Sequence, residues 1–190
     1  MNKIVKIVIC LLITVSLFGC SEDEKKNVEA TKLQSTLYDL SDYETFNAKN
    51  ERVRGIELRD ALQAMEDKSN FVLFVSAPTC PWCVEALPIL HDAAIASDVD
   101  IYMVNKYDTS KWNSENEYKE VTAKLKKHLL GSEDSSLQMP SVFVIVDGEV
   151  VDEHVGTNMD HNAYERKLTQ DEKKELLEKY MDLLSIFKKD

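Results

Sequence analysis

Cys80 and Cys83 stand close together in "SAPTCPWCVEALP", with only Pro81 and Trp82 between them. Thiols at that spacing can hold a metal, close a structural disulfide, or cycle between dithiol and disulfide. A zinc site needs four ligands, or three and an open position, and no second CxxC or closely spaced histidine pair accompanies this one. His91, His128, His154 and His161 are scattered, and each reads as a surface or edge residue rather than a ligand. Copper held by the two thiolates alone stays open. A stabilising disulfide gains from closing a long loop, and a two-residue gap closes almost nothing. The redox pair is the strongest reading, with no metal and no cofactor called for.

Such a pair must be placed by its flanking elements. "FVLFV" before it is continuously apolar and rich in β-formers, as a strand covered on both faces would be. After it, Val84, Leu87, Leu90, Ala93 and Ala94 form a helical stripe, and "VDIYMVN" is a second strand. The cysteines therefore sit at the strand-to-helix turn of a βαβ unit. Upstream, "RVRGI" reads as an edge strand, and Leu58, Ala61, Leu62 and Met65 share one helical face. Downstream, "SENEYKEVTAKLKKHLLG" has Ser114 and Glu117 at capping-box spacing, an apolar face of Tyr118, Val121, Leu125 and Leu129, and a stop at Gly131. "SVFVIV", Asp147-Gly148 and "EVVDEHVG" spell a β-hairpin. A last helix follows Thr169, with Glu172 at the capping-box position, and buries Leu176, Leu177, Tyr180, Met181, Leu184 and Phe187. The order β-α-β-α-β-α-β-β-α predicts an α/β domain.

The N-terminus is of another kind. Lys3 and Lys6 precede an apolar stretch from Ile7 to Phe18, the pattern of a signal segment over residues 1–19. It ends in Leu17-Phe18-Gly19-Cys20, which resembles the lipobox of bacterial lipoproteins, with Phe18 where a smaller residue is more usual. That resemblance implies cleavage before Cys20 and a lipid anchor on its thiol, and a cell-membrane location on the extracytoplasmic face. Acyl chains hold by burying methylenes, at about 0.8 kcal/mol each, so more than one chain anchors firmly. Residues 20–50 read as a lipidated tether followed by an extension, and 51–190 as the domain. Loss of residues 1–19 removes two lysines and no acid, moving the formal charge from −11 to −13. That balance argues against nucleic acid and against an electrostatic grip on anionic lipid. With Cys10 lost and Cys20 lipidated, Cys80 and Cys83 are the remaining thiols.

The placed CxxC, Pro88 five residues after Cys83, Met139-Pro140 before the hairpin strand, the Asp147-Gly148 turn, and Gly156 at the end of the second hairpin strand together resemble the thioredoxin superfamily over about residues 51–187. The resemblance implies a thioredoxin-like fold, with a central mixed sheet flanked by helices, an N-terminal extension, and a helical insertion within Thr109–Gln138. It implies a cis Met139–Pro140 bond and a substrate groove lined by both residues. It also implies thiol–disulfide oxidoreductase activity on cysteine-containing extracytoplasmic proteins, with a membrane redox partner. Phe74 stands where many thioredoxins carry a buried acid, so the usual internal proton acceptor is missing. Among relatives, the chain most resembles membrane-anchored thioredoxin-like proteins of Gram-positive bacteria, some associated with bacteriocin maturation.

At the N-terminus of a helix, unpaired amides and the helix dipole favour a thiolate, which assigns Cys80 as nucleophile and Cys83, on the same first turn, as resolving thiol. Pro81 lacks an N–H where none is needed and pre-sets the helical φ. Trp82 could offer substrate a flat platform beside the sulfurs or simply pack. Glu85 reads as a solvated helix-surface carboxylate, the alternative being a proton relay. The direction of electron flow is open, since exchangers of this type span about −270 to −120 mV. Competing functions are a partner-binding accessory or immunity factor of bacteriocin type and a copper chaperone using the same two cysteines.

Overall fold

The computed structural model describes residues 28–108, 110 and 112–187. The expected signal segment and the lipidation residue Cys20 lie outside the described residues. In chain order the elements are β1 (Thr36–Leu37), β2 (Val53–Gly55), α1 (Leu58–Glu66), β3 (Phe71–Ser76), α2 (Pro81–Ser97), β4 (Ile101–Asn105), α3 (Glu115–Leu130), β5 (Ser141–Val146), β6 (Glu149–Val155) and α4 (Gln170–Leu184), with a 3-10 turn at Ser185–Phe187. They build one six-stranded sheet in the order β1-β2-β4-β3-β5-β6. β2, β4 and β3 run parallel, and β5 lies antiparallel to β3 and β6.

Every residue of β3 is buried, because helices cover both faces of the sheet. Strand alternation divides its side chains between two cores. Val72 and Phe74 join Ile101, Met103, Val142 and Val144 under α2 and α4. Phe71, Leu73 and Val75 join Tyr102, Val104, Phe143 and Ile145 under α1 and α3. This mixed sheet between helical layers, with its hairpin at one edge, is the thioredoxin-like fold that the sequence predicts.

Local chemistry sets the element ends. Thr169 and Glu172 form both halves of a capping box at the start of α4. At α3 only half forms: Ser114 Oγ accepts from Glu117 N at 3.2 Å, while the Glu117 carboxylate turns to Asn113 and Arg59. Gly131 ends α3 in the left-handed region, at φ 69°. The hairpin turn is tighter. Gly148 has φ 81°, and a Cβ there would lie 2.1 Å from the Met65 carbonyl oxygen. Gly148→Ala is therefore expected to cost roughly 2 kcal/mol or more and to lower the thermal midpoint by at least about 4 °C. An unchanged midpoint in calorimetry would contradict this reading of the turn.

The segment before β2 is packed rather than splayed. Leu40 and Tyr43 are buried in the α2/α4 core, and β1 adds an antiparallel edge to β2. Its dock on α2 has a clear cause. Pro88 lies inside that helix and has no N–H for the Val84 carbonyl, four residues earlier. The Thr45 hydroxyl donates to that carbonyl instead, so the acceptor that the proline orphans is satisfied by the extension.

Candidate active site

β3 ends at Ser76 and α2 begins at Pro81, which leaves Cys80 as the N-cap of α2. Its backbone is extended, and its sulfur accepts from the Cys83 amide at 3.4 Å. Pro81 occupies the first helical position. Both thiols are free, but they differ in setting: Cys80 keeps 8% of its surface exposed and Cys83 none.

The pair shares a proton unevenly. Cys80 is brought down to about 7, above all by the hydrogen bond from the Cys83 thiol; the amides of Cys83 and Trp82 and the charge of Lys106 add to this against the cost of burial. Cys83 is pushed far up, because its proton is held in that same bond and because it is buried. One sulfur is thus poised as a thiolate at neutral pH and the other kept as a thiol.

Lys106 is held by its neighbours. Its amide donates to the Ser76 carbonyl at 3.0 Å and its ammonium to the Leu137 carbonyl at 2.5 Å. The Tyr118 hydroxyl of α3 donates to the Lys106 carbonyl at 3.1 Å, so the inserted helix braces the residue whose charge favours the Cys80 thiolate.

Met139 and Pro140 come to the same place. The bond between them is cis, and the Cys80 thiol lies 3.7 Å from the Met139 carbonyl oxygen. Pro140 is buried and its carbonyl accepts from Gly156 N at 2.8 Å. Trp82 is half-buried. Its indole N–H donates to the His161 carbonyl at 3.1 Å, and its ring meets Tyr164 edge-on with centroids 4.9 Å apart. It fastens the loop between β6 and α4 beside the cysteine pair.

Several side chains depart from their expected settings. Glu85 is not a solvated surface carboxylate: it is buried, with 9% exposure, and accepts from the Leu168 amide at 3.2 Å. α4 packs along α2 and brings the backbone leading into it over that carboxylate. His91 and His161 are buried, not surface residues. His91 Nε2 accepts from Glu51 N at 3.3 Å, and its ring meets Phe46 of the extension edge-on. His161 bonds Thr157 Oγ1 through Nδ1 at 2.8 Å and the Arg166 carbonyl through Nε2 at 2.9 Å. As the carbonyl can only accept, Nε2 is the donor in that contact. Among the described residues, no three His, Cys, Asp or Glu side chains gather as a metal site would require.

Two side chains near the pair were not anticipated. Ser76, fully buried, points to the Cys83 face of the sheet. Tyr43, from the extension, puts its hydroxyl 2.8 Å from Ser76 Oγ. Strand alternation carries a signal for Ser76, two residues after the inward-facing Phe74; nothing local carries one for Tyr43.

No protein-family model matches the sequence, and no curated protein matches it. Among solved structures, the chain is similar to one described as a proposed oxidoreductase with a thioredoxin fold, at 18% identity and a TM-score of 0.39, over 58% of this chain and 88% of the other.

Proposed function

We propose that this chain is a thiol–disulfide oxidoreductase that acts through Cys80 and Cys83. The observation that carries the reading is the asymmetry of the pair: a helix N-cap cysteine with its thiol near 7, beside a fully buried cysteine that keeps its proton. In the reducing direction the Cys80 thiolate attacks one sulfur of a substrate disulfide, forms a mixed disulfide, and expels the other sulfur as a thiolate that takes a proton from water. Cys83 then attacks Cys80 Sγ, closes the Cys80–Cys83 disulfide and expels the second substrate sulfur; the Cys83 proton ends on that leaving thiol. Two electrons pass from the pair to the substrate, and the reverse sequence oxidises a dithiol.

The substrates in this reading are cysteine-containing extracytoplasmic proteins, seated along Met139 and Pro140, and a membrane redox partner resets the pair. The Lys3/Lys6 segment and Leu17-Phe18-Gly19-Cys20 support a lipid anchor on the outer face of the cell membrane. The test uses the full chain in detergent with Cys10→Ser and Cys20→Ser, so that Cys80 and Cys83 are its only thiols. In a glutathione buffer it is expected to form one intramolecular disulfide and to accelerate exchange on a disulfide-bonded peptide. A protein that forms the disulfide yet leaves the exchange rate unchanged would refute the enzyme reading.

A further inference from the structure

Resolution of the mixed disulfide demands a Cys83 thiolate in a buried site, and Phe74 supplies no carboxylate to help it form. Phe74 is fully buried in the same core. What favours charge on the Cys83 sulfur is the Ala77 amide and, after it, the hydroxyl of Ser76 at the C-terminal end of β3. Ser76 Oγ in turn lies 2.8 Å from the Tyr43 hydroxyl, in the interior. The Tyr43 hydroxyl has a second, weaker acceptor, Met103 Sδ at 3.7 Å. Tyr43 is held there by the extension's own turns, through Tyr43 N to the Leu40 carbonyl at 3.0 Å and Phe46 N to the Tyr43 carbonyl at 2.9 Å. Two residues on, Thr45 fixes the extension to the Val84 carbonyl of α2.

We infer that Tyr43 and Ser76 form a hydrogen-bond donor chain, Tyr43 O–H to Ser76 Oγ and Ser76 O–H to Cys83 Sγ, that stabilises the resolving thiolate. The inference rests on the exchange reaction proposed above and assigns its second step to residues outside the CxxC motif. As the Cys83 proton leaves, the Ser76 hydroxyl turns its hydrogen to the sulfur. The Tyr43 hydroxyl then leaves Met103 and donates to the serine oxygen. Neither hydroxyl takes up the proton, which ends on the departing substrate thiol. Burial holds the tyrosine far above its ordinary value, so it remains a neutral donor throughout. The chain differs in kind from a buried carboxylate: it stabilises the anion without accepting the proton. Tyr43 and Ser76 are positioning residues, acting through Cys83. The other groups about that sulfur are the Ala77 amide, Cys80, and Tyr180 of α4, whose buried hydroxyl makes no hydrogen bond.

The test separates the two chemical steps in the full chain with Cys10→Ser and Cys20→Ser. Attack by Cys80 is read from its alkylation rate. Resolution is read from the release of a chromogenic thiol from a preformed mixed disulfide on Cys80, as a function of pH. Tyr43→Phe is isosteric in the core and is expected to slow resolution at pH 7 by about five- to tenfold, the scale of one hydrogen bond between neutral groups, since the tyrosine bonds the serine and not the sulfur. Its pH midpoint should rise, with Cys80 alkylation changed less than twofold. Ser76→Ala should do at least as much, and the double variant no more than Ser76→Ala alone, because the tyrosine acts only through the serine. Ser76→Thr, which keeps the hydroxyl, should restore the midpoint. Tyr180→Phe should leave it in place. An unmoved midpoint in Tyr43→Phe, or an equal shift in Tyr180→Phe, would overturn the inference while leaving the exchange reaction standing. Absence of any release in the parent would instead overturn the reaction itself.

Discussion

Cys80→Ser is expected to bring disulfide exchange down to the uncatalysed rate, a loss on the order of a thousandfold or more, as when a covalent nucleophile is removed. A serine hydroxyl does not ionise near neutral pH, and it cannot form a disulfide with substrate or with Cys83. Cys83 cannot take over the attack, since none of its surface is exposed. The fold should be untouched. Position 80 is the N-cap of α2 and already accepts the Cys83 amide, and serine is among the most favoured residues at such a position. Loss of activity with an unchanged or slightly raised unfolding midpoint is thus the signature of a missing nucleophile rather than a broken helix. Cys83→Ser should behave in the opposite way, attacking normally and then accumulating the mixed disulfide, visible as an added mass under non-reducing conditions. A Cys80→Ser protein that keeps a tenth or more of the parental rate would exclude Cys80 as the attacking group.

The second large effect is on pH. With the Cys80 thiol near 7, about half is thiolate at pH 7 and about 1% at pH 5, so alkylation and first attack should fall about fiftyfold over those two units. A rate still climbing about threefold or more between pH 8 and 9, as a thiol near 8.5 would give, would mean that the surrounding groups do not lower this thiol. Stability carries the same information, with signs that differ for the two cysteines. The Cys80 value lies below the roughly 8.5 of an unfolded thiol, so between about pH 7 and 8.5 the unfolded dithiol binds more protons than the folded one. Stability from this group is full above that window and is lost as pH falls through 7. Cys83, raised by its bond to Cys80 and by burial, contributes stability below about 8.5 that is lost as pH rises further, because the unfolded chain can release a proton that the folded one retains. The dithiol protein, measured against its Cys80→Ser/Cys83→Ser counterpart to cancel other groups, should therefore gain stability from pH 6 to about 8 and lose it above 9. A monotonic difference across that range would contradict the opposed shifts.

The inserted helix and the extension give the site two supports that the CxxC motif does not contain. α3 packs on α1, with Arg59 over the Trp112 ring and in an ion pair with Glu117 at 3.2 Å, and its Tyr118 holds the backbone of Lys106. On the other face of the sheet, the extension brings Tyr43 to Ser76. The environment of each cysteine thus depends on a segment outside the sheet and helix that carry the motif.

What the amino-acid sequence determined by itself was local or periodic. The βαβ unit around Cys80 and Cys83 follows from a wholly apolar strand and a helical stripe, and the placement of Cys80 at the helix start from Pro81 and the onset of that stripe. The hairpin follows from Asp147-Gly148 and the ends of α3 and α4 from Gly131 and Thr169, because capping and turn preferences act over a few residues. The tertiary structure decided what neighbours in sequence do not share. Glu85 is buried because the backbone at Leu168 comes over it, 83 residues later in the chain. Tyr43 meets Ser76 across 33 residues, from a stretch whose mixed polarity has no period to reveal its inward face. The thiols are divided by the same cause. CxxC spacing puts both on one helical turn, but only packing decides that one sulfur keeps an edge of exposure beside Lys106 and Met139 while the other sinks among Ser76, Tyr43 and Tyr180. Burial is a property of the assembled layers, and it is burial and distant donors that separate a thiolate from a thiol.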